Sequence, residues 1–283
     1  MRYEHRQPVE DRHTDDIHPL HEFAWLLIGS LVLLAAGVVL AGWFAGEIAA
    51  RLPFHYERDY AAPLTRHWEE ARLAPPAYAS RDALRQLGTR VARDMGMPAD
   101  MSVSIHYLDE DVPNAMATLG GNVFVWRGLI ARLKSEDALA FVLAHELAHV
   151  QLRHPITGLG RGVAIGTLTS VVSAGLGGSL GADGMGRAST LPLLDYSREQ
   201  ERAADAAALQ AVARHYGHLG GAAEVFALFA SLQPAGDEAP AWLRTHPHTA
   251  ERAAFVTAQA RDLGVPAQGT PTPLQAALQL KGL

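Results

Sequence analysis

The sequence predicts an α+β fold that is predominantly α, with a small β-sheet set beside one long central helix and a single transmembrane helix near the N-terminus. Three observations carry that prediction: an uncharged apolar run at 23–46, short alternating segments between 102 and 126, and helical spacing of apolar residues through most of the remainder. At 283 residues there is room for one good-sized domain with appendages.

Residues 1–22 are polar, contain His5, His13, His18 and His21, and show neither helical nor strand periodicity, so they read as a tail. Phe23 to Gly46 holds no charged residue and is long enough to cross the roughly 30 Å of membrane hydrocarbon as a helix. Trp25 and Trp43 lie near its ends, where amphipathic rings favour the headgroup level. A cleaved signal sequence would have a shorter apolar core, roughly 7 to 15 residues, so a retained span is expected. Arg2, Arg6 and Arg12 before it balance Arg51, Arg58 and Arg66 after it, and charge does not orient the span.

Residues 47–79, with Pro53, Pro63, Pro75 and Pro76, read as a connector. The domain proper is expected over 80–263. Its first helix is expected from a Ser80 cap to Met95, stopped by Gly96. Ser102 to Leu108 alternates like a half-buried strand, and Ala115 to Trp126 reads as a hairpin turning at Gly120-Gly121. Ser135 caps a long helix, with Glu136 and Asp137 in its first turn where the helix dipole favours anions, running to about His154 and ended by Pro155. Another helix starts near Ser197, which has capping-box spacing to Gln200, and continues to about Tyr216. Helices near 222–232 and 249–263 complete the domain, and 264–283 is left as a C-terminal tail.

Composition removes several classes of function. Lys plus Arg is 24 against 30 Asp plus Glu, a net charge of −6 with no basic stripe, which argues against nucleic acid as a partner. With no cysteine, disulfides, Cys-held zinc and Cys nucleophiles are all excluded. A metal site would have to be built from His, Asp and Glu, and there are 14 His.

His145-Glu146-Leu147-Ala148-His149 supplies such a site on the long helix. Positions four apart share a helix face, so both imidazoles can reach one ion. Glu146 is about 100° round from His145, placed to hold a water without becoming a ligand, and is the natural general base. A catalytic zinc needs a third protein ligand and an open position. The extended pattern with Gly and His further along the same helix is absent, since Leu152 and Pro155 stand there. His154, nine residues past His145, rotates about 180° to the opposite face and reads as a partner of the helix C-terminus. Downstream, Glu201 and Asp205 are again four apart in Ser197-Arg198-Glu199-Gln200-Glu201-Arg202-Ala203-Ala204-Asp205. Glu201 can ligate the metal while Asp205 accepts the free ring N–H of a metal-bound His and fixes its tautomer.

The two motifs together resemble the HtpX-like, Oma-like and CaaX-prenyl-endopeptidase-like gluzincin zinc peptidases. Pro113 to Leu129 and Thr245-His246-Pro247 extend the likeness over about Ser80 to Arg252. The resemblance implies a gluzincin-type metallopeptidase domain holding one Zn²⁺ per chain through His145, His149 and Glu201, with Glu146 as base and Asp205 behind the ligands. It makes the strand of Asn114, Ala115, Met116, Ala117 and Thr118 the edge that pairs with an extended peptide. It also brings His246 near the zinc, either to hydrogen-bond the tetrahedral oxyanion or to occupy the open metal position as a reversible lock, with His248 as the alternative.

Gly162 to Ala182 is a second uncharged stretch with six glycines. A single crossing there would put His149 and Glu201 on opposite sides of the bilayer, and a hairpin of two spans needs roughly 40 apolar residues. A lid or a helix at the membrane surface is expected instead. The functional expectation is a membrane-anchored zinc endopeptidase acting on unfolded or extended polypeptides. By resemblance it would serve quality control of misfolded envelope or membrane proteins, in a bacterial inner membrane with the domain on the periplasmic side. A non-proteolytic chaperone or scaffold that keeps the fold is the alternative. Neither the substrates nor the oligomeric state is written in the residues.

Overall fold

The structure, a computed structural model, describes residues 19–69, 73, 75–175, 196–232, 242, 246 and 250–280. The expectations for His5, His13, His18 and His248 fall outside them.

Helix α1 (Pro19–Ala50) contains the apolar run and carries it with Leu20 to Leu34 exposed; it is the one described helix long and apolar enough to cross a membrane. It begins inside the stretch read as a polar tail. The supposed connector is helical: α2 (Phe54–Glu69) keeps Pro63 in its interior, and α3 (Pro75–Asp94) starts on two prolines. Proline suits a first helical turn because the N–H it lacks has no partner there anyway. Ser80 is therefore no cap. It sits within α3, and its hydroxyl donates to the Ala277 carbonyl at 2.7 Å.

The sheet has the order β1-β3-β2, with β1 (Ser104–Leu108) parallel and β2 (Ala115–Ala117) antiparallel to the central β3 (Asn122–Trp126). The expected turn is a 3-10 turn, Leu119–Gly121, in which Gly120 and Gly121 have φ of 73° and 77°. A Cβ on Gly121 would also overlap the Ser102 carbonyl. Only glycine meets both demands.

A single turn, α4 (Arg127–Ile130), leads to the central helix α5 (Glu136–Gln151), buried from Glu136 to Val150. The Ser135 hydroxyl accepts from the Ala138 N–H at 3.2 Å, as the cap expectation requires. The helix ends sooner than expected: Leu152 closes it, and Arg153, at φ 61°, turns the chain into α6 (His154–Gly175). Pro155 thus opens a new helix. Helix α7 (Arg198–Tyr216) has the full capping box between Ser197 and Gln200 and ends at left-handed Gly217. Helices α8 (Gly220–Ser231) and α9 (Ala250–Leu263) follow.

Around α5 pack α3, α7, α8 and β2. The segment set apart as a C-terminal tail also belongs to this core. Thr272 accepts from the Glu136 N–H at 2.7 Å and donates to Asp137 at 3.0 Å, while Leu274, Leu278 and Leu280 are buried. One backbone N–H and one side-chain carboxylate at the start of the central helix are thereby tied to Thr272, 135 positions beyond Asp137 in sequence.

Candidate metal centre

Helix periodicity puts His145 and His149 on one face of α5, with their Nε2 atoms 3.1 Å apart. Helix α7 crosses beside them and delivers Glu201, whose Oε1 is 3.4 Å from His149 Nε2 and whose Oε2 is 3.6 Å from His145 Nε2. Tetrahedral coordination with bonds of about 2.0–2.1 Å separates ligand atoms by roughly 3.4 Å. The three contacts bracket that spacing, and the donor set fits zinc. His246 joins the group: its Nδ1 lies 3.2 Å from His145 Nε2 and 2.8 Å from Glu201 Oε1, and one ligand atom from each of the four residues falls within 4.8 Å of the others. All four side chains are buried.

Behind the ligands is a layer of supporting contacts. Asp205, one helical turn past Glu201, places Oδ1 3.0 Å from His145 Nδ1. Arg252 on α9 grips Asp205 with two nitrogens at 2.8 Å each and holds Glu201 Oε2 with a third at 2.8 Å. Burial would raise both carboxyls. For Glu201 that effect is outweighed by His246, by the hydrogen bonds of His149 and His246 and by the charge of His145; for Asp205, by hydrogen bonds from His145 and Arg252. Both stay ionised. Burial presses His149 well below the ordinary imidazole range, with the charges on His145 and His246 adding to it, so it is a neutral donor set for a cation. His145 goes the other way because Asp205 and Glu201 outweigh its burial.

The expectation for His154 is corrected. Counting 100° per residue from His145 assumes an unbroken helix, but α5 stops at Gln151 and the turn at Arg153 swings His154 back, so its Nδ1 meets His149 Nδ1 at 2.9 Å. Burial lowers its pKa to about 4, leaving it neutral and able to share one proton with His149.

Glu146 has no exposed surface. Ala117 N–H donates to its Oε2 at 2.8 Å and the Trp242 indole N–H to its Oε1 at 3.3 Å, while His246 Nε2 stands 3.6 Å from that Oε1. The carboxylate is thus aimed beside the ligand cluster without entering it. In β2, Thr118 N–H donates to Asn122 and Trp126 N–H donates to Asn114, which turns the even-numbered peptide groups toward β3. By strand alternation Ala115 and Ala117 face the other edge, and the Ala117 bond to Glu146 agrees. Ala115, Ala117 and Thr118 are buried and Asn114 and Met116 half-buried, so this edge is covered in the arrangement described.

Three residues of the site escaped sequence reasoning. Trp242 stacks on His246 with ring centres 4.9 Å apart and on Phe229 at 3.9 Å. Its carbonyl accepts from His246 N–H at 2.8 Å, and its position four before His246 was an available signal. Arg252 and Tyr196, whose ring lies on His149 at 3.8 Å, had none, since only tertiary packing brings them in. Tyr196, Glu201, Arg202, Asp205, Arg252 and Phe255 border a cleft of about 750 Å³ on the carboxylate side of the cluster.

Comparison with known proteins agrees with this architecture. The pattern described as Peptidase family M48 matches residues 79–260, well over half of the chain. The mitochondrial metalloendopeptidase OMA1 of Schizosaccharomyces pombe is 32% identical over 136 residues, covering 47% of this chain and 39% of that protein. Beta-barrel assembly-enhancing proteases of Yersinia pestis and Escherichia coli K12 are 27% identical over 121 and 119 residues, each match covering 38% of this chain and 24% of the relative. The chain therefore spans less than half the length of these relatives.

Proposed function

The chain belongs to peptidase family M48, and from that premise we propose that it is a membrane-anchored zinc endopeptidase in which His145, His149 and Glu201 hold one Zn²⁺ and Glu146 is the general base. The observation that carries this is the spacing of the ligand atoms, 3.1 to 3.6 Å, with Glu146 beside them. A zinc ion there supplies Lewis acidity and lowers the pKa of water toward about 7. Glu146 takes the proton from the attacking water and returns it to the leaving amine. Asp205, fixed by Arg252, sets the His145 tautomer, and His154 does so for His149.

Ala115 and Ala117 present their outer peptide groups to an extended substrate, with Asn114, Met116 and Thr118 completing the strand. His246 favours the role of a lock over that of an oxyanion donor, because its Nδ1 points among the ligand atoms, 2.8 Å from Glu201. Substrate then enters when His246 and Trp242 withdraw. Two of the relatives are named as proteases that enhance beta-barrel assembly; for this chain we propose substrates among misassembled membrane or envelope proteins and place the domain on the periplasmic side of a bacterial inner membrane. Protease accessibility of the domain in intact cells against spheroplasts tests that orientation.

Glu146→Gln decides the catalytic reading. The variant is expected to keep its zinc by elemental analysis and to cleave an unfolded reporter at least about 100-fold more slowly. Equal cleavage by the variant would sink the assignment of Glu146. No cleavage by the wild type with zinc bound would favour a scaffold that retains the fold.

A further inference from the structure

Helix α6 leaves the metal-site end of α5 and runs back along the anchor. Gly160 lies against Ala45 and Ala49, Thr157 against Gly46, and Ile165 against Gly42, so α6 and α1 are antiparallel. Their approach is close: a Cβ on Gly160 would stand 2.7 Å from the Ala49 Cβ and 2.8 Å from the Ala45 carbonyl oxygen. Small residues at such a crossing let two backbones meet, as they do between helices in lipid. Along α1 the same side continues through Ala41 and Val38, both partly covered, toward the middle of the apolar run.

Arg161 is the last charge on α6, and from Gly162 to Gly175 the helix is uncharged on every face. Helices lying in water or on a membrane surface carry a polar, charged side. Two of its described hydroxyls beyond Arg161 are turned onto the helix's own backbone, Thr167 donating to the Val163 carbonyl and Ser170 to the Gly166 carbonyl at 2.8 Å each. That is how a hydroxyl is satisfied where water is absent. Yet no described part of the protein covers the face carrying Val163, 53% exposed, and Thr167. In the sequence the uncharged run from Gly162 ends at Asp183, so it offers 21 residues, about half of the roughly 40 that two crossings need.

We propose that α6 beyond Arg161 is a re-entrant membrane helix that enters the bilayer beside α1, with lipid covering its Val163 and Thr167 face. The chain must leave on the side it entered, because His149 before α6 and Glu201 after it meet in one cluster. From His154, which touches His149, to Gly162 is about 12 Å of helix, so the metal site stands close to the lipid surface. Substrates are then polypeptide segments lying at the membrane surface.

This inference rests on α1 being a membrane anchor, and cysteine labelling separates the two because the chain has no cysteine of its own. Leu33→Cys on α1, Val163→Cys and Thr167→Cys on α6 and Gln210→Cys on α7 are all at exposed positions. In native membranes opened so that an impermeant maleimide reaches both faces, Gln210→Cys is expected to label as fast as when unfolded in detergent. Leu33→Cys and both α6 variants are expected to label at least about tenfold more slowly than their unfolded references. Protection of Leu33→Cys with fast labelling of both α6 variants overturns the re-entrant helix and leaves the anchor standing. Fast labelling of Leu33→Cys overturns the anchor and this inference with it. Disulfide-linked dimers through either α6 cysteine on mild oxidation would make a second copy the covering, and would equally overturn it.

Discussion

Arg252 is the residue on which both carboxylates of the metal centre depend. It is 7% exposed, and its guanidinium neutralises Asp205 and Glu201 together. Arg252→Met keeps the volume and removes the charge, leaving two buried acids with only the histidines as partners; a loss of about 3–5 kcal/mol is expected in urea denaturation. Zinc affinity should fall roughly 10- to 100-fold, read by competition with a chelating dye, because Asp205 would lose its hold on the His145 tautomer. Asp205 was legible in the sequence, since its spacing from Glu201 is a helical turn. Arg252 was not, because 47 residues separate it from the acid it pairs with and no periodicity links them. His154 shows the opposite failure: a correct helical rule was carried past the point where the helix ends.

At the level of elements, the start of α5 and both ends of α7 could be read almost to the residue, because caps at Ser135 and Ser197 and the H-E-x-x-H spacing are local signals. Helix α2 and the first residues of α3 were hidden by Pro63, Pro75 and Pro76, which argue against helix in general but are tolerated in a first turn or at the cost of one ladder bond. How closely elements approach was not legible at all. Gly221, in the first turn of α8, lies so near α5 that a Cβ would overlap the Asp137 carbonyl. Gly221→Ala must therefore push α8 from the central helix, and about 1–3 kcal/mol of destabilisation is expected, measured as a lowered Tm. Helix propensity alone would predict a gain from the same change.

Across the whole molecule, residues 264–280 close the fold rather than trail from it. Leu278 has no exposed surface, and its neighbour Ala277 is held by Ser80 of α3. Leu278→Ala is expected to cost about 2–5 kcal/mol in denaturation, as for other buried leucines, although it lies far from the metal ligands in sequence. Such pairings join distant parts of the chain, which is why a reading based on local pattern set this segment aside. Arg153 makes the corresponding link at the other end. It keeps a left-handed backbone, donates to the Leu52 carbonyl at 2.9 Å just past the anchor, and pairs with Glu57 of α2 at 3.2 Å. Glu57 in turn accepts from Gly120 N–H in the hairpin turn, so one guanidinium binds the foot of the anchor to the helix carrying His149 and to the strand beside it. Under the proposed function the protein then has no slack leash: its metal site rides at a fixed height, like a plane iron set in its block, and a peptide bond must come to that height to be reached.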